Sequence, residues 1–138
     1  MILVTIPGQP IHTTAQQQRF FGKGKNGRAI VVKTEKLKDA EKQLLYWLSL
    51  QAPKEPLTGP IELYVTWSYG TGDKKKIRQC YKDTRPDTDN SLKLLKDCLT
   101  KSGYWQDDAQ VAQELLIKCW VPIEDAKTSI MINQLTKG

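Results

Sequence analysis

Apolar residues alternate with polar ones at the start of the chain. Ile2, Val4 and Ile6 share one face, which predicts a strand ended by Pro7 and Gly8. Arg19-Phe20-Phe21 and Ala29-Ile30-Val31-Val32 flank a Gly- and Lys-rich stretch. That stretch contains Asn26-Gly27, the dipeptide preferred in a type I′ turn, so a small basic β-hairpin is expected. After Thr34, a natural N-cap, Leu37, Ala40, Leu44, Trp47 and Leu48 recur at helical spacing, and Pro53 lies just past the end. Ile61, Leu63, Val65 and Trp67 then alternate with Glu62, Tyr64 and Thr66, the pattern of a half-buried strand. A long polar loop is expected from Tyr69 to Pro86. A second helix is expected from Asp89 or Asn90, about three turns long, with Leu92, Leu95 and Leu99 as its apolar stripe and Gly103 as its stop. Val111 to Val121 reads as a strand with Leu115, Ile117, Cys119 and Val121 on one face. Pro122 to Lys127 reads as a turn and Ser129 to Asn133 as a last strand. This order predicts an α+β fold in which a mixed sheet packs against two main helices, with residues 1–138 forming one domain.

Composition agrees with that frame and removes several function classes. The chain has 138 residues, 39% hydrophobic and 26% charged, the size and mixture of one globular domain. No apolar run approaches the roughly 20 residues of a membrane-spanning helix and no signal peptide is visible, so a cytoplasmic protein with no membrane partner is expected. Cys80, Cys98 and Cys119 are odd in number and form no C-x-x-C pair, which argues against a disulfide framework or a structural zinc site. The net charge of +6 is unevenly spread. Residues 1–82 carry 14 Lys and Arg against 6 Asp and Glu, whereas residues 83–138 carry 7 against 9. A basic surface beside an acidic cluster suits a phosphate polyanion held near a divalent cation; a solvated basic surface with scattered acids is the plainer alternative.

The acids that carry most chemical interest are Asp87 and Asp89, in Asp87-Thr88-Asp89-Asn90 at the mouth of the second helix. If the segment before the helix is extended, both carboxylates point the same way, an arrangement a hard, oxygen-seeking cation accepts. The same residues also make a good N-cap and acidic first turn. An EF-hand is excluded, because Leu92 stands where that loop needs Gly and Cys98 where it needs Glu. Asp107 and Asp108 form a second pair, which a turn would also explain. Asp89, Lys93, Asp97 and Lys101 recur every four residues, either as surface pairing or with Lys93 reaching into the acidic site. Other chemistries fit poorly. His12 is the sole histidine, and Gly22-Lys23-Gly24-Lys25 lacks the phosphate-loop spacing and ending. Pro86-Asp87 with Asp125-Ala126-Lys127 imitates a restriction-type nuclease signature, but the latter reads as a turn.

The run Asp87-Thr88-Asp89-Asn90-Ser91-Leu92-Lys93, then Asp97, then Leu99 to Val111 with Tyr104-Trp105 and Asp107-Asp108-Ala109-Gln110-Val111, resembles the RusA family of Holliday junction resolvases. The match is dense over residues 87–111, and several spacings agree together. The resemblance implies a small homodimeric, Mg²⁺-dependent endodeoxyribonuclease, with Mn²⁺ as a substitute and no small-molecule cofactor. Such an enzyme resolves four-way DNA junctions by paired symmetric nicks in recombination and repair, and the family is often bacterial or prophage-encoded. By position it places the catalytic and metal-binding carboxylates on Asp87, Asp89 and Asp108 and the helix lysine on Lys93, with Asn90, Asp97 and Asp107 in support. Ser91 departs from the pattern, standing where an apolar residue is common, and the loop from Tyr69 to Pro86 is long. DNA contacts are expected from Lys74, Lys75, Lys76, Arg78, Lys82 and Arg85 in that loop, and from Arg19, Lys23, Lys25 and Arg28 in the hairpin. The competing readings are a non-catalytic DNA-binding module, in which the aspartates only cap and turn, and a metal nuclease acting on other branched or single-stranded DNA.

Overall fold

In the computed structural model, which describes residues 1–12, 18–23 and 29–136, the first strand is Ile2–Pro7 (β1), with Val4 and Ile6 buried. The hairpin forms from Gln18–Lys23 (β2) and Ala29–Lys33 (β3), paired antiparallel in a sheet of their own. Its expected Asn26-Gly27 turn lies outside the described residues. Helix α1 is Glu35–Leu50, and Thr34 Oγ1 caps it by accepting from Leu37 N at 3.2 Å. Leu37, Ala40, Leu44 and Leu48 are buried along it, as the helical spacing requires.

Strand β4, Ile61–Thr71, runs further than its alternation suggested. Ser68 and Tyr69 are buried within it, so the expected loop begins only after Thr71. Part of that loop is itself helical. Asp73 Oδ1 accepts from Lys75 N at 2.9 Å and starts the short helix α2, Lys74–Gln79. Helix α3 is Thr88–Lys101, 14 residues and so about four turns, starting before the expected Asp89 or Asn90. It ends in a Schellman motif, where Gly103 N donates to Thr100 O and Tyr104 N to Leu99 O, with Gly103 at φ +84°. Strands β5, Val111–Pro122, and β6, Lys127–Gln134, complete the fold.

The main sheet has the order β1-β6-β4-β5, with β4 and β5 parallel and the other pairs antiparallel. This is the expected α+β arrangement with a mixed sheet. Ile61, Leu63, Val65, Trp67, Ile130 and Ile132 from the sheet join Leu37, Leu48, Leu92, Leu95 and Leu99 from the helices in one core. Tyr104 OH locks the helices together by donating to Leu48 O at 2.7 Å.

Leu115, Ile117, Cys119 and Val121 share one face of β5, as expected, but it is the face turned away from the helices. Ile61 pairs with Val111 but Glu62 pairs with Gln113, so one extra residue intrudes at the start of the strand. Such a bulge reverses the in-and-out parity of everything after it. Leu116 and Trp120 therefore pack against the core, while Leu115 is 51% exposed. Lys118, aligned with buried Trp67, lies on the helix-covered side of the sheet.

Candidate active site

The chain approaches α3 by closing the free edge of β5. Trp120 N donates to Cys80 O at 2.6 Å and Lys82 N to Lys118 O at 2.9 Å. Residues 83–86 then lead to Asp87, the true N-cap, whose carbonyl accepts from Ser91 N at 3.1 Å. The carboxylate of Asp87 makes no capping hydrogen bond. A purely structural N-cap aspartate would spend its side chain on the orphan amides of the first turn, and Asp87 does not. Asp89 lies inside the first turn rather than in an extended segment, and both acids are exposed at the positive end of the helix dipole. Lys93, one turn further on, is also exposed. Among the described residues, no ion pair within 4 Å joins it to Asp89 or Asp97. Lys101 reaches instead to Glu41 on α1, at 3.8 Å.

A second acidic site stands at the other end of α3. Asp107 is occupied as a cap: its Oδ1 accepts from Ala109 N at 2.8 Å, while Gln110 Oε1 accepts from Gln106 N and Asp107 N. Asp108 is held differently. Buried Trp105 donates through Nε1 to Thr100 Oγ1 at 2.7 Å and to Asp108 Oδ1 at 3.1 Å, and Thr100 Oγ1 donates to the same carboxylate oxygen. Burial, and then the neighbouring charge of Asp108, push the Asp97 carboxyl above the usual range, while Lys101 and Lys93 pull it back. Asp97, Thr100, Lys101, Gln106, Asp107 and Asp108 line an open cavity of about 280 Å³.

The fold keeps the two sites apart within one chain. Asp89 and Thr100 are 11 residues apart on one helix, about 16 Å along its axis, and Asp108 is bonded to Thr100. Even Asp97 is about 12 Å from Asp89 along the axis. Oxygens sharing one Mg²⁺ lie within about 4 Å of each other, since each sits roughly 2.1 Å from the ion. No group of three potential metal ligands occurs among the described residues. Asp87 and Asp89 thus form one half of the expected ligand set and Asp108 the other.

Of the expected DNA contacts, Lys74, Lys75, Lys76 and Arg78 stand exposed on α2 and Arg85 is exposed just before α3. Lys82 departs from that expectation. It is buried, with its ammonium 5.0 Å from the Tyr69 ring centroid, 4.5 Å from that of Trp120 and bonded to the backbone. Such a group has no face left for a phosphate. Arg19 and Lys23 lie on β2, whose backbone alone is described, and Lys25 and Arg28 lie outside the described residues. Sequence reasoning missed Thr100 and Lys118, and took Trp105 only as part of the motif. The available signal for Lys118 was a lone lysine within an apolar strand.

The family model described as Endodeoxyribonuclease RusA matches residues 7–133. A "Crossover junction endodeoxyribonuclease rusA" of Lactococcus phage r1t is 44% identical to the chain over 52 residues. That alignment covers 38% of this chain and 39% of the phage protein, so the chain spans well under half the length of that relative.

Proposed function

The chain belongs to the RusA family, and from that premise we propose that it is a divalent-metal-dependent endodeoxyribonuclease resolving four-way DNA junctions. The observation that carries this reading is the Asp87 carboxylate, which occupies an N-cap without capping. It stands beside Asp89 at a helix N-terminus, and its side chain makes no hydrogen bond or ion pair among the described residues, which leaves its oxygens open to a cation.

The donor chemistry fits Mg²⁺, with Mn²⁺ as a substitute, because hard cations take carboxylate oxygens and often only one or two of them, with water completing the shell. Asp87 and Asp89 supply such a pair at one end of α3 and Asp108 a third oxygen donor at the other. When bound, the ion neutralises charge on a phosphodiester and lowers the pKa of a coordinated water. Lys93 projects from the turn above Asp89, where an ammonium stabilises negative charge developing on the cleaved phosphate. Trp105 and Thr100 orient Asp108.

A two-fold homodimer reconciles the family ligand set with the separation of its halves. Asp87 and Asp89 of one protomer meet Asp108 of the other, and symmetry generates two such sites. Two identical sites on a substrate that is itself two-fold symmetric produce paired nicks in opposed strands. The exposed cations of α2, with Arg85 and the hairpin bases, hold the junction arms by their phosphates.

The test is cleavage of a labelled, immobile four-way junction with and without Mg²⁺, beside a plain duplex and the Asp87→Asn and Asp89→Asn variants. Expected are paired nicks in the junction alone, lost without the metal and in both variants, with junction binding retained because removing acidic charge does not weaken attraction to phosphate. Tight binding with no cutting under Mg²⁺ or Mn²⁺ would instead identify a binding module.

A further inference from the structure

The backbone that delivers Asp87 is gripped by two lysines outside the family's carboxylate set. Lys82 Nζ donates to Arg85 O at 2.7 Å, to Thr84 Oγ1, and to Thr84 O at 3.4 Å. From β5, Lys118 Nζ donates to Thr84 O at 2.7 Å and to Pro86 O at 2.8 Å. Every carbonyl of the three residues before Asp87 is therefore bound by an ammonium. The two lysines are themselves joined through the Lys82 N to Lys118 O bond at the sheet edge, so both donors rest on the rigid sheet.

This arrangement is costly for an ordinary surface. Lys82 is 7% exposed between two aromatic rings. Burial, and then the charges of Lys118 and Lys76, hold its ammonium below the usual lysine range. Buried ammonium groups persist where their donors are satisfied, and here the acceptors are the backbone of the catalytic loop. Asp87 has no side-chain cap to fix it, so its direction is set by the backbone that precedes it.

We propose that Lys82 and Lys118 are positioning residues, a clamp on residues 84–86 that sets the direction in which the Asp87 carboxylate meets the metal. This rests on the reading of Asp87 as a metal ligand. The ammonium groups act through the loop, and neither is a phosphate contact.

The test uses the full-length chain and Mn²⁺ as probe. Lys118→Met and Lys118→Arg are compared with wild type and Asp87→Asn by calorimetric titration with Mn²⁺ in the absence of DNA. Hydrogen exchange is followed at the Ser91 amide, which donates to Asp87 O, and junction affinity is measured in EDTA. In Lys118→Met, Mn²⁺ affinity should fall about tenfold, within the range for loss of a group that orients a metal ligand. Exchange should quicken at the Ser91 amide, and junction affinity in EDTA should hold. Lys118→Arg, which keeps a cation able to donate to two carbonyls, should recover most of the Mn²⁺ affinity. Thr84→Val removes only one acceptor of Lys82 and serves as the milder variant; it should weaken Mn²⁺ in the same direction. Wild-type Mn²⁺ affinity in both Lys118→Met and Thr84→Val would overturn the clamp. So would a loss of junction affinity in EDTA with Mn²⁺ binding intact, which would make Lys118 a phosphate contact. A wild-type chain that binds Mn²⁺ through Asp87 but cuts no junction would defeat the endonuclease reading alone.

Discussion

Asp108 shows what a single residue's surroundings decide. Its neighbour Asp107 is consumed by a turn, whereas Asp108 is pinned by a threonine hydroxyl and an indole N–H and keeps an open cavity beside it. Thr100 both donates to that carboxylate and accepts from Trp105, so Thr100→Val removes one orienting bond and leaves the indole without its second partner. Cleavage should fall by about 10- to 100-fold, as is usual when a group orienting a metal ligand is lost, with junction binding unchanged. Single-turnover cleavage at saturating enzyme measures this directly. Wild-type rates would mean that Asp108 is not oriented by Thr100.

At the scale of elements, the strands carry constraints that composition hides. Gly70 lies where β4 passes between Gln9 and the turn at Ile123. Gln9 brackets it with two bonds, accepting from Gly70 N at 2.8 Å and donating to Gly70 O at 3.0 Å. A Cβ there would stand 2.8 Å from both Gln9 Nε2 and the Ile123 Cα. The glutamine can swing away but the backbone cannot, so Gly70→Ala should destabilise the fold by about 1–3 kcal/mol, the usual range for overpacking. Urea denaturation would detect it as a lowered midpoint at unchanged slope. At the end of α1, Tyr104→Phe leaves Leu48 O without the phenol it accepts from, for a loss of about 1 kcal/mol in the same assay.

For the whole molecule, charge and symmetry make separate predictions. If the cations of α2 contact phosphates, junction affinity should fall with salt at a log–log slope of about −0.9 per contact. Replacing Lys74, Lys75 or Arg78 by Ala should then flatten the slope by about that amount each. A slope unchanged in these variants would remove α2 from the DNA interface. Symmetry is tested by mixing. Asp87→Asn and Asp108→Asn chains should each be inactive alone, yet a heterodimer of the two contains one intact composite site and one doubly damaged one. Mixing should restore single nicks to a junction whose wild-type product is a pair. A mixture that stays inactive after subunit exchange would show that each site is built from one chain.

Periodicity in the sequence was enough for β1, α1, the first half of β4 and β6, because each buries one face and the burial imposes a period of 2 or 3.6. The dense motif over residues 87–111 likewise marked the acids on which the proposed site is built. What sequence could not convey was the parity of β5, reversed by one bulged residue, or the helical turn of α2, made by a local aspartate cap. The burial of Lys82 was equally hidden, since its composition matches the exposed lysines of α2 and only the packing of Tyr69 and Trp120 around it differs. The distance between the two acidic pairs was decided by tertiary structure alone. The length of α3 and the return of the chain at Gly103 put Asp108 beside Thr100 rather than Asp87, and no local pattern encodes where a helix's two ends lie relative to a partner.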